Sequence, residues 1–210
     1  MQTIQPADPI FRIVEIFESL QGEGYNTGMP AVFIRLGKCN LACRWCDTDY
    51  LTFQQMPLSE ILGRLKNYTA RNIIITGGEP TIQPHLETLL NALKKEGYYL
   101  CIETNGLNPV PPQIDYIATS PKACYAEKYQ TQYIKRADEV RIVVDGDIIA
   151  FCTAIEQKIR ARHYYLSPCE QNGVMNIYET IRQIGLLNSR PDAAVHWQLS
   201  VQTHKWAGIE

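Results

Sequence analysis

Three cysteines that lie close together are the residues best able to do chemistry. Cys39, Cys43 and Cys46 fall within eight residues, in the spacing C-x3-C-x2-C. The other four of the seven cysteines are scattered, at positions 101, 124, 152 and 169. In a reducing compartment, clustered thiols indicate a metal or redox site more often than a disulfide framework.

Three kinds of site could use this spacing. A structural zinc ion usually takes four Cys or His ligands, commonly as two close pairs, and no second pair follows here. A dithiol redox site could use Cys43 and Cys46, but that C-x-x-C motif normally opens a helix in a different fold and leaves Cys39 without a role. A four-iron, four-sulfur cluster held by three thiolates uses all three cysteines and leaves one iron open to a cosubstrate.

The cysteine spacing, with Trp45 directly before the third cysteine, resembles the signature of the radical S-adenosylmethionine (SAM) enzymes. The Gly-Gly-Glu-Pro segment at 77–80 stands where that superfamily places the loop that holds the amino group of SAM. The resemblance implies a modified radical SAM core in which SAM chelates the open iron. Reduction of SAM then gives a 5′-deoxyadenosyl radical that abstracts a hydrogen atom.

The elements that must position these residues alternate between strands and helices. Apolar, β-branched runs predict strands over 31–36, 72–76, 98–104, 115–119, 138–144, 163–167 and 194–200. Helical spacing of apolar residues predicts helices over 58–68, 85–97, 147–162 and 174–187. This alternation predicts an α/β fold, a partial, open TIM-like barrel with about six parallel strands. A flat doubly wound sheet is the alternative.

The unusual loops follow the carboxyl ends of the predicted strands. The cysteines follow the first barrel strand, and further loops follow later strands at 77–80, 104–106, 120–122 and 167–172. In a barrel of parallel strands these ends share one rim, where the active site lies. The sequence therefore predicts one shared site at that rim.

Longer segments are similar to 7-carboxy-7-deazaguanine synthase, a family of radical SAM enzymes. They cover essentially the whole chain, at 18–50, 76–84, 103–106, 120–122 and 197–206. The resemblance implies ring contraction of 6-carboxy-5,6,7,8-tetrahydropterin to 7-carboxy-7-deazaguanine plus ammonia, on the route to queuosine and other 7-deazapurines. SAM would be used catalytically, and Mg2+ would be required. It also implies one radical SAM domain over 1–210, with the cluster loop at 37–50 and a substrate-covering segment at about 194–210.

The resemblance assigns candidate roles to particular residues. The 4Fe–4S cluster would be held by Cys39, Cys43 and Cys46, and Mg2+ by Thr48 with substrate oxygens and water. Candidate SAM-binding residues are Trp45, Asp47, Gly78, Glu79, Ser120, Lys122, Ser167, Pro168, Cys169 and Glu170. Candidate substrate-binding residues are Leu20, Gln21, Gly22, Glu23, Arg35, Thr76, His204 and Glu210. No side chain is assigned as a catalytic acid or base, because SAM carries the radical.

Physical arguments bear on several of these roles. Arg35 is a charge within an apolar strand, which is costly to bury without a partner, and a guanidinium matches a planar carboxylate. Glu23 could accept hydrogen bonds from the guanidine-like edge of a pterin. Cys169 is not expected as a fourth cluster ligand, because it would occupy the iron that SAM needs. The family often has Gln-Pro where this chain has Ser167-Pro168, so side-chain contacts to SAM are left open there.

Composition limits the partners that we expect. Hydrophobic residues make up 45% of the 210 residues, and the net charge of −2 does not predict binding to nucleic acid or to an anionic membrane. The first ten residues lack the pattern of a signal peptide, and no apolar run reaches the roughly 20 residues that span a bilayer. We therefore expect a cytoplasmic protein. The resemblance implies a homodimer and a flavodoxin- or ferredoxin-type electron donor.

Two other functions use parts of the same pattern. A glycyl-radical activating enzyme would carry the same cluster and act on a protein chain, but it would lack the segments 20–24 and 202–205. A zinc-stabilised binding module would hold zinc in place of iron and sulfide. Turnover of the pterin and the metal content separate these alternatives from the first.

Overall fold

Strands and helices alternate through the part of the chain that the computed structural model describes, residues 8–171 and 173–209. The strands are β1 (Ile10–Leu20), β2 (Pro30–Leu36), β3 (Gln54–Pro57), β4 (Asn72–Gly77), β5 (Tyr99–Thr104), β6 (Tyr116–Thr119), β7 (Glu139–Val144), β8 (His163–Pro168), β9 (Glu170–Gln171), β10 (Val174–Met175) and β11 (Trp197–Leu199). The α-helices are α1 (Leu58–Leu65), α2 (Leu86–Lys95), α3 (Ile149–Lys158), α4 (Ile177–Asn188) and α5 (Thr203–Ala207).

Nine of the described strands form one sheet, in the order β11-β8-β7-β6-β5-β4-β2-β1-β3. Neighbouring strands from β11 to β2 are parallel. Strand β1 is antiparallel to both β2 and β3, and β9 with β10 forms a separate small hairpin. The predicted α/β fold with a parallel sheet is confirmed, with an antiparallel edge that was not predicted.

Strand alternation explains why the parallel strands read as continuous apolar runs. On β4, Ile73 and Ile75 pack into the core beneath α1 and α2, whereas Ile74 belongs to a separate inner cluster with Cys101. Thr76, two residues beyond Ile74, lines a cavity on that inner face. Both faces of the strand are therefore buried, as expected when helices cover one side of a parallel sheet.

The sheet curves around this cavity, because side chains of six strands from β1 to β8 line it together. In a flat sheet β1 and β8 would be six strand spacings apart, or about 29 Å. The cavity is only about 560 Å3. The partial barrel is therefore confirmed, and the flat doubly wound alternative is not.

The turn between β1 and β2, residues 21–29, reaches across the inside of the barrel, and we call it the floor loop. Tyr25 N–H donates to Glu139 Oε2 on β7 at 2.8 Å, and Gly24 N–H donates to Ser200 Oγ at 2.9 Å. Gly24 has φ 67°, and a β carbon there would lie 2.1 Å from Glu139 Oε1. This close approach requires glycine, and it ties the loop to the start of β7 and to Ser200, which follows β11.

Several elements differ from the sequence-based expectation. Strand β1 (Ile10–Leu20), strand β3 (Gln54–Pro57) and helix α5 (Thr203–Ala207) were not predicted. The helix expected over 174–187 starts only at Ile177, and the strand expected over 194–200 is limited to Trp197–Leu199. No helix in the described ranges is both long enough and apolar enough to cross a membrane.

Candidate active site

The three clustered thiols lie on the loop after β2 and line one cavity of about 160 Å3. Cys39 and Cys43 are half-buried, and Cys46 is exposed. Burial raises the pKa of Cys39 and raises that of Cys43 to about 12. Such thiols are poor nucleophiles by themselves, which disfavours a dithiol redox site. A bound metal would deprotonate them outright.

The arrangement of these thiols fits a cluster better than a single ion. Within residues 8–171 and 173–209, no three His, Cys, Asp or Glu side chains converge closely enough to hold one metal ion. A cubane cluster instead offers a separate iron to each thiolate, so its ligands surround a cavity. The donor set of three thiols around one cavity therefore fits a 4Fe–4S cluster and not a structural zinc ion.

The loop at 77–80 packs directly against the cysteine loop. Gly78 N–H donates to Leu36 O at 3.0 Å, and Glu79 N–H donates to Lys38 O at 2.9 Å. A β carbon would lie 2.0 Å from Leu36 O at Gly77, and 2.1 Å from Lys38 O at Gly78. Both positions therefore require glycine, and both glycines line the thiol cavity.

Glu79 is fully buried and joins the carboxyl ends of β4 and β5. Its Oε1 accepts hydrogen bonds from Thr81 N–H at 3.0 Å, from Thr81 Oγ1 at 2.6 Å and from Thr104 Oγ1 at 2.7 Å. Its Oε2 accepts from Asn105 N–H at 2.7 Å. The carboxylate thus ties the two rim loops together, and its role toward SAM stays a prediction.

Trp45, which precedes the third cysteine, is fixed from two sides. Its Nε1–H donates to Asp145 Oδ2 at 3.0 Å, and the Lys122 ammonium lies 5.0 Å from the centre of its ring. Lys122 Nζ also donates to Ser120 Oγ at 2.8 Å. Asp145 was missed from the sequence, although it directly follows β7 at the rim where the other loops were expected.

The 560 Å3 cavity adjoins the thiol cavity and extends from the rim to the floor loop. The residues that line both are Trp45, Asp47, Thr48, Thr76, Gly77, Glu103, Ser120 and Lys122. The other predicted residues that line the larger cavity are Leu20, Gln21, Gly22, Glu23, Arg35, Ser167 and His204. The structure therefore brings most of the predicted site residues together.

A few predicted residues are placed differently. Glu79, Pro168, Cys169 and Glu170 are not among the described residues that line either cavity. Cys169 is buried, and its N–H donates to Asn176 Oδ1 at 2.7 Å. Glu210 lies outside the described residues, so its predicted contact with substrate stays a prediction.

Arg35 lies near the carboxyl end of β2, beside Thr76 of β4. Its Nε donates to Glu15 Oε1 at 2.5 Å, and its guanidinium lies 5.8 Å from the centre of the Phe17 ring. The side chain is 23% exposed, into the cavity. Glu15 and Phe17 belong to β1, so the unpredicted strand is what orients this arginine.

Thr48 lines both cavities, and the acidic residues on either side of it have partners. Asp47 Oδ2 lies 2.7 Å from Lys205 Nζ. Asp49 Oδ1 accepts from Leu51 N–H at 3.0 Å and from Thr52 N–H at 3.2 Å. A magnesium ion here would therefore depend on the threonine hydroxyl and on oxygens from substrate and water.

A network of charged side chains lies where the cavity meets the floor loop. Gln21 Nε2 donates to Glu103 Oε1 at 2.9 Å, and Glu23 N–H donates to Gln21 Oε1 at 3.1 Å. Arg141 on β7 donates from Nη2 to Glu103 Oε2. Burial raises the pKa of Glu103 to about 7. Arg141 was missed, although a charge within the apolar run of β7 is the signal that could have found it.

Helix α5 brings His204 against the floor loop. Thr203 donates to Gly22 O from its N–H at 3.0 Å and from its hydroxyl at 2.9 Å. A β carbon at Gly22 would lie 2.0 Å from His204 Nδ1. Burial lowers the pKa of His204 below its ordinary value, which favours the neutral imidazole.

Comparison with known proteins finds radical SAM enzymes by sequence and by structure. Residues 33–124 match the model of the Radical SAM superfamily. The chain is 79% identical to the 7-carboxy-7-deazaguanine synthase of Neisseria meningitidis, over 99% of this chain and 98% of that protein. It is 58% identical to the enzyme of the same name from Haemophilus influenzae, over 100% and 99%. A crystal structure of QueE from Escherichia coli matches with a TM-score of 0.67 at 28% identity, covering 92% of this chain and 94% of that one.

Proposed function

The chain belongs to the 7-carboxy-7-deazaguanine synthase family of radical SAM enzymes, and we propose that its two adjoining cavities hold SAM and a pterin side by side. The enzyme is a lyase that carries out a radical ring contraction in queuosine biosynthesis. Its substrate is proposed to be 6-carboxy-5,6,7,8-tetrahydropterin, and its products 7-carboxy-7-deazaguanine and ammonia. The observation that carries the proposal is the continuous space from the three thiols to the floor loop.

The thiol cavity is proposed to hold the cluster and SAM. Cys39, Cys43 and Cys46 supply the three thiolates, and a 4Fe–4S cluster with SAM bound to it supplies the radical that starts the reaction. Gly77 and Gly78 line this cavity without a side chain, which supports a close approach of the SAM amino group to their backbone. Lys122 and the ring of Trp45 form a further wall of this space.

The larger cavity is proposed to hold the pterin with its carboxylate toward the rim. Glu15 contacts Arg35 through Nε, so the two Nη groups are the donors that we assign to the substrate carboxylate. Arg35 is one residue from the end of β2, which continues into the cysteine loop. In this pose the carboxylate-bearing carbon of the pterin would lie on the side of the thiols, where hydrogen abstraction is proposed to occur.

The side chains around the pterin bind it, orient it and exclude water. The floor loop blocks one end of the barrel through the bonds of Gly24 and Tyr25. Helix α5 covers the neighbouring side through Thr203 and His204. Excluding water protects a radical from side reactions, which is the part that the protein contributes beside its cofactors.

A magnesium ion is proposed to bind at Thr48. The hydroxyl supplies one ligand, and substrate oxygens and water supply the rest, because Mg2+ usually keeps waters and few protein ligands. Thr48 lines both cavities, which supports a magnesium site between SAM and the pterin. Magnesium should therefore bind with measurable affinity only when the pterin is present.

A small flavodoxin- or ferredoxin-type protein is proposed as the electron donor. Cys46 is exposed, so one side of a cluster held by the three thiols would lie near the surface, where a protein donor can reach it.

A homodimer is also proposed. Exposed apolar side chains on α4, at Tyr178, Ile181 and Leu186, supply a surface that a second copy could cover.

One experiment tests the central proposal. Reconstituted protein is incubated anaerobically with SAM, reductant, Mg2+ and 6-carboxytetrahydropterin, and mass spectrometry follows formation of 7-carboxy-7-deazaguanine. We expect conversion by the parent protein and none after Cys39→Ala, Cys43→Ala or Cys46→Ala. Conversion at the parent rate by any of these variants would overturn the proposal. Iron and sulfide in the purified protein exclude the zinc module, and pterin turnover excludes an activase that acts on a protein chain.

A further inference from the structure

Lys38, directly before Cys39, has a backbone conformation that is unfavourable for a residue with a side chain. Its φ is 73°, in the left-handed region that favours glycine. Its N–H donates to Tyr50 O at 2.7 Å, and its carbonyl accepts from Glu79 N–H at 2.9 Å. Both bonds use backbone atoms only, so glycine would make them with less strain. A lysine at this position therefore indicates that the side chain has a use of its own.

The Lys38 side chain lies on the surface beside an aromatic ring. Lys38 is exposed, and its Nζ lies 5.3 Å from the centre of the Phe53 ring. The Arg12 guanidinium lies 5.9 Å from the same centre. We call Arg12, Lys38 and Phe53 the Lys38 patch. None of the three lines either cavity, so the patch lies outside the substrate site. Leu51, two residues before Phe53, is 66% exposed and adds apolar surface to the same loop.

The two cations of the Lys38 patch are not neutralised. In the part of the chain that the structure describes, neither Arg12 nor Lys38 forms an ion pair. The carboxylates of the cysteine loop have other partners, because Asp47 pairs with Lys205 and Asp49 accepts from two backbone N–H groups. The patch therefore presents positive charge on a chain whose net charge is −2.

The chemistry of the site needs an electron at the cysteine loop. Radical SAM enzymes reduce SAM by one electron, which a carrier protein has to deliver. Lys38 is next to Cys39 in the chain, so their Cα atoms are about 3.8 Å apart. A carrier that contacts the Lys38 patch would therefore lie beside the cluster. Electron-transfer complexes have small, weak interfaces, in which charge steers the two proteins together.

We propose that the Lys38 patch is the docking surface for a one-electron carrier protein with an acidic face. This inference rests on the proposed function. Lys38 and Arg12 pair with carboxylates of the carrier, and the Phe53 ring supplies an apolar contact beside them. The carrier gives up one electron to the oxidised cluster, so its redox group is oxidised by one electron as the cluster is reduced by one. No proton or chemical group passes between the two proteins.

Two reductants test this assignment on the reconstituted protein with SAM. Reduced flavodoxin needs a docking surface, whereas reduced methyl viologen is a small cation that needs none. Anaerobic stopped-flow absorbance follows the oxidation of each reductant by the cluster. For the parent protein, raising the salt from about 50 mM to about 300 mM should slow flavodoxin at least about fivefold, because salt screens the steering charges.

The ratio of the flavodoxin rate to the viologen rate isolates docking from changes in the cluster itself. At low salt, Lys38→Gln and Arg12→Gln should each lower this ratio by about threefold to tenfold, because each removes one steering charge. Lys95→Gln, at an exposed lysine on α2, is the matched control and should keep the parent ratio.

A glycine variant separates the side chain of Lys38 from its backbone. Lys38→Gly keeps both backbone hydrogen bonds and relieves the strain at φ 73°. It should melt no lower than the parent protein and keep its iron, while its rate ratio falls as in Lys38→Gln.

The outcomes separate this inference from the proposed function. Parent-like ratios in both Lys38→Gln and Lys38→Gly would overturn the docking role, and so would equal slowing of flavodoxin and viologen, which indicates a changed cluster. A parent protein that flavodoxin does not reduce, or reduces at a rate that salt does not lower, would also overturn it. If the viologen-reduced parent protein did not convert the tetrahydropterin, the proposed function itself would fail, whatever the ratios show.

Discussion

Lys205 Nζ lies 2.7 Å from Asp47 Oδ2, which joins helix α5 to the residue directly after the third cysteine. The same helix touches the floor loop through Thr203. The C-terminal segment thus contacts both ends of the large cavity. The Lys205 and Asp47 side chains are 38% and 58% exposed, so the ion pair is a surface contact whose strength depends on salt.

Replacing Lys205 with methionine should loosen the C-terminal segment without unfolding the protein. An exposed ion pair contributes at most about 1 kcal/mol, so hydrogen exchange in residues 200–209 should rise by up to about fivefold. The melting temperature should change little. Hydrogen-exchange mass spectrometry measures the first effect, and the affinity for pterin should fall in parallel.

The control for this variant is the exposed pair of Arg182 and Glu179 on α4, with an N···O distance of 2.7 Å. Breaking it in Arg182→Met should leave exchange in residues 200–209 and pterin affinity at parent values. Equal exchange in Lys205→Met and the parent protein would show that Lys205 does not hold the segment.

Gly22→Ala should displace His204 and weaken pterin binding. The new β carbon would meet the imidazole at 2.0 Å, so the side chain must move. Gly63 in α1 has no atom within 4 Å of the corresponding position. Gly63→Ala should therefore stabilise the protein, by about 0.5–1 kcal/mol, because alanine favours the helix. Unchanged pterin affinity in Gly22→Ala, measured by calorimetry, would contradict the packing seen here.

Replacing Glu79 should destabilise the rim loops that its carboxylate joins, and it should affect the floor loop less. Glu79→Ala leaves two backbone N–H groups and two hydroxyls without their acceptor. We expect a loss of about 3–5 kcal/mol in the free energy of unfolding, measured by urea denaturation, together with poor retention of iron. Glu79→Gln keeps an oxygen acceptor and should lose about 1–3 kcal/mol. Parent-like stability of Glu79→Ala would show that these bonds do not matter.

Acid should detach the C-terminal segment. Burial lowers the pKa of His204 below 6.5, so the detached segment binds a proton more readily than the docked one. Docking is therefore strongest above pH 6.5 and weakens as the pH falls below that value. Hydrogen exchange in residues 200–209, corrected for intrinsic rates, should rise between pH 7.5 and pH 5.5. His204→Asn should remove this pH dependence, and a parent-like profile in that variant would assign it to another group.

The sequence predicts the parallel strands and the rim loops well, because both depend on local patterns. A strand buried on both faces needs a run such as 72–76, and a turn after it needs residues such as Gly77 and Gly78. Three thiols at fixed spacing, together with Trp45 and the Gly-Gly-Glu-Pro segment, carry the resemblance to radical SAM enzymes before any fold is known. Most residues placed near SAM by the resemblance do line the cavities, although their roles are predictions that the variants above must test.

The parts that the sequence did not predict depend on distant contacts. Strand β1 mixes charged and apolar residues, because Glu15 turns inward to hold Arg35. Arg141 and Glu139 are buried charges that make sense only after the barrel closes and brings Glu103 to them. Helix α5 has five residues, too few for a periodic pattern, and its position is set by Gly22 and Asp47.

The bond from Thr203 to Gly22 links residues that are 181 positions apart in the chain. On the ribosome the cysteine loop therefore emerges long before the pterin pocket can be completed. One wall of the substrate pocket therefore forms only when the C-terminal segment reaches the turn between β1 and β2, and closing this long loop is a slow, long-range step in folding.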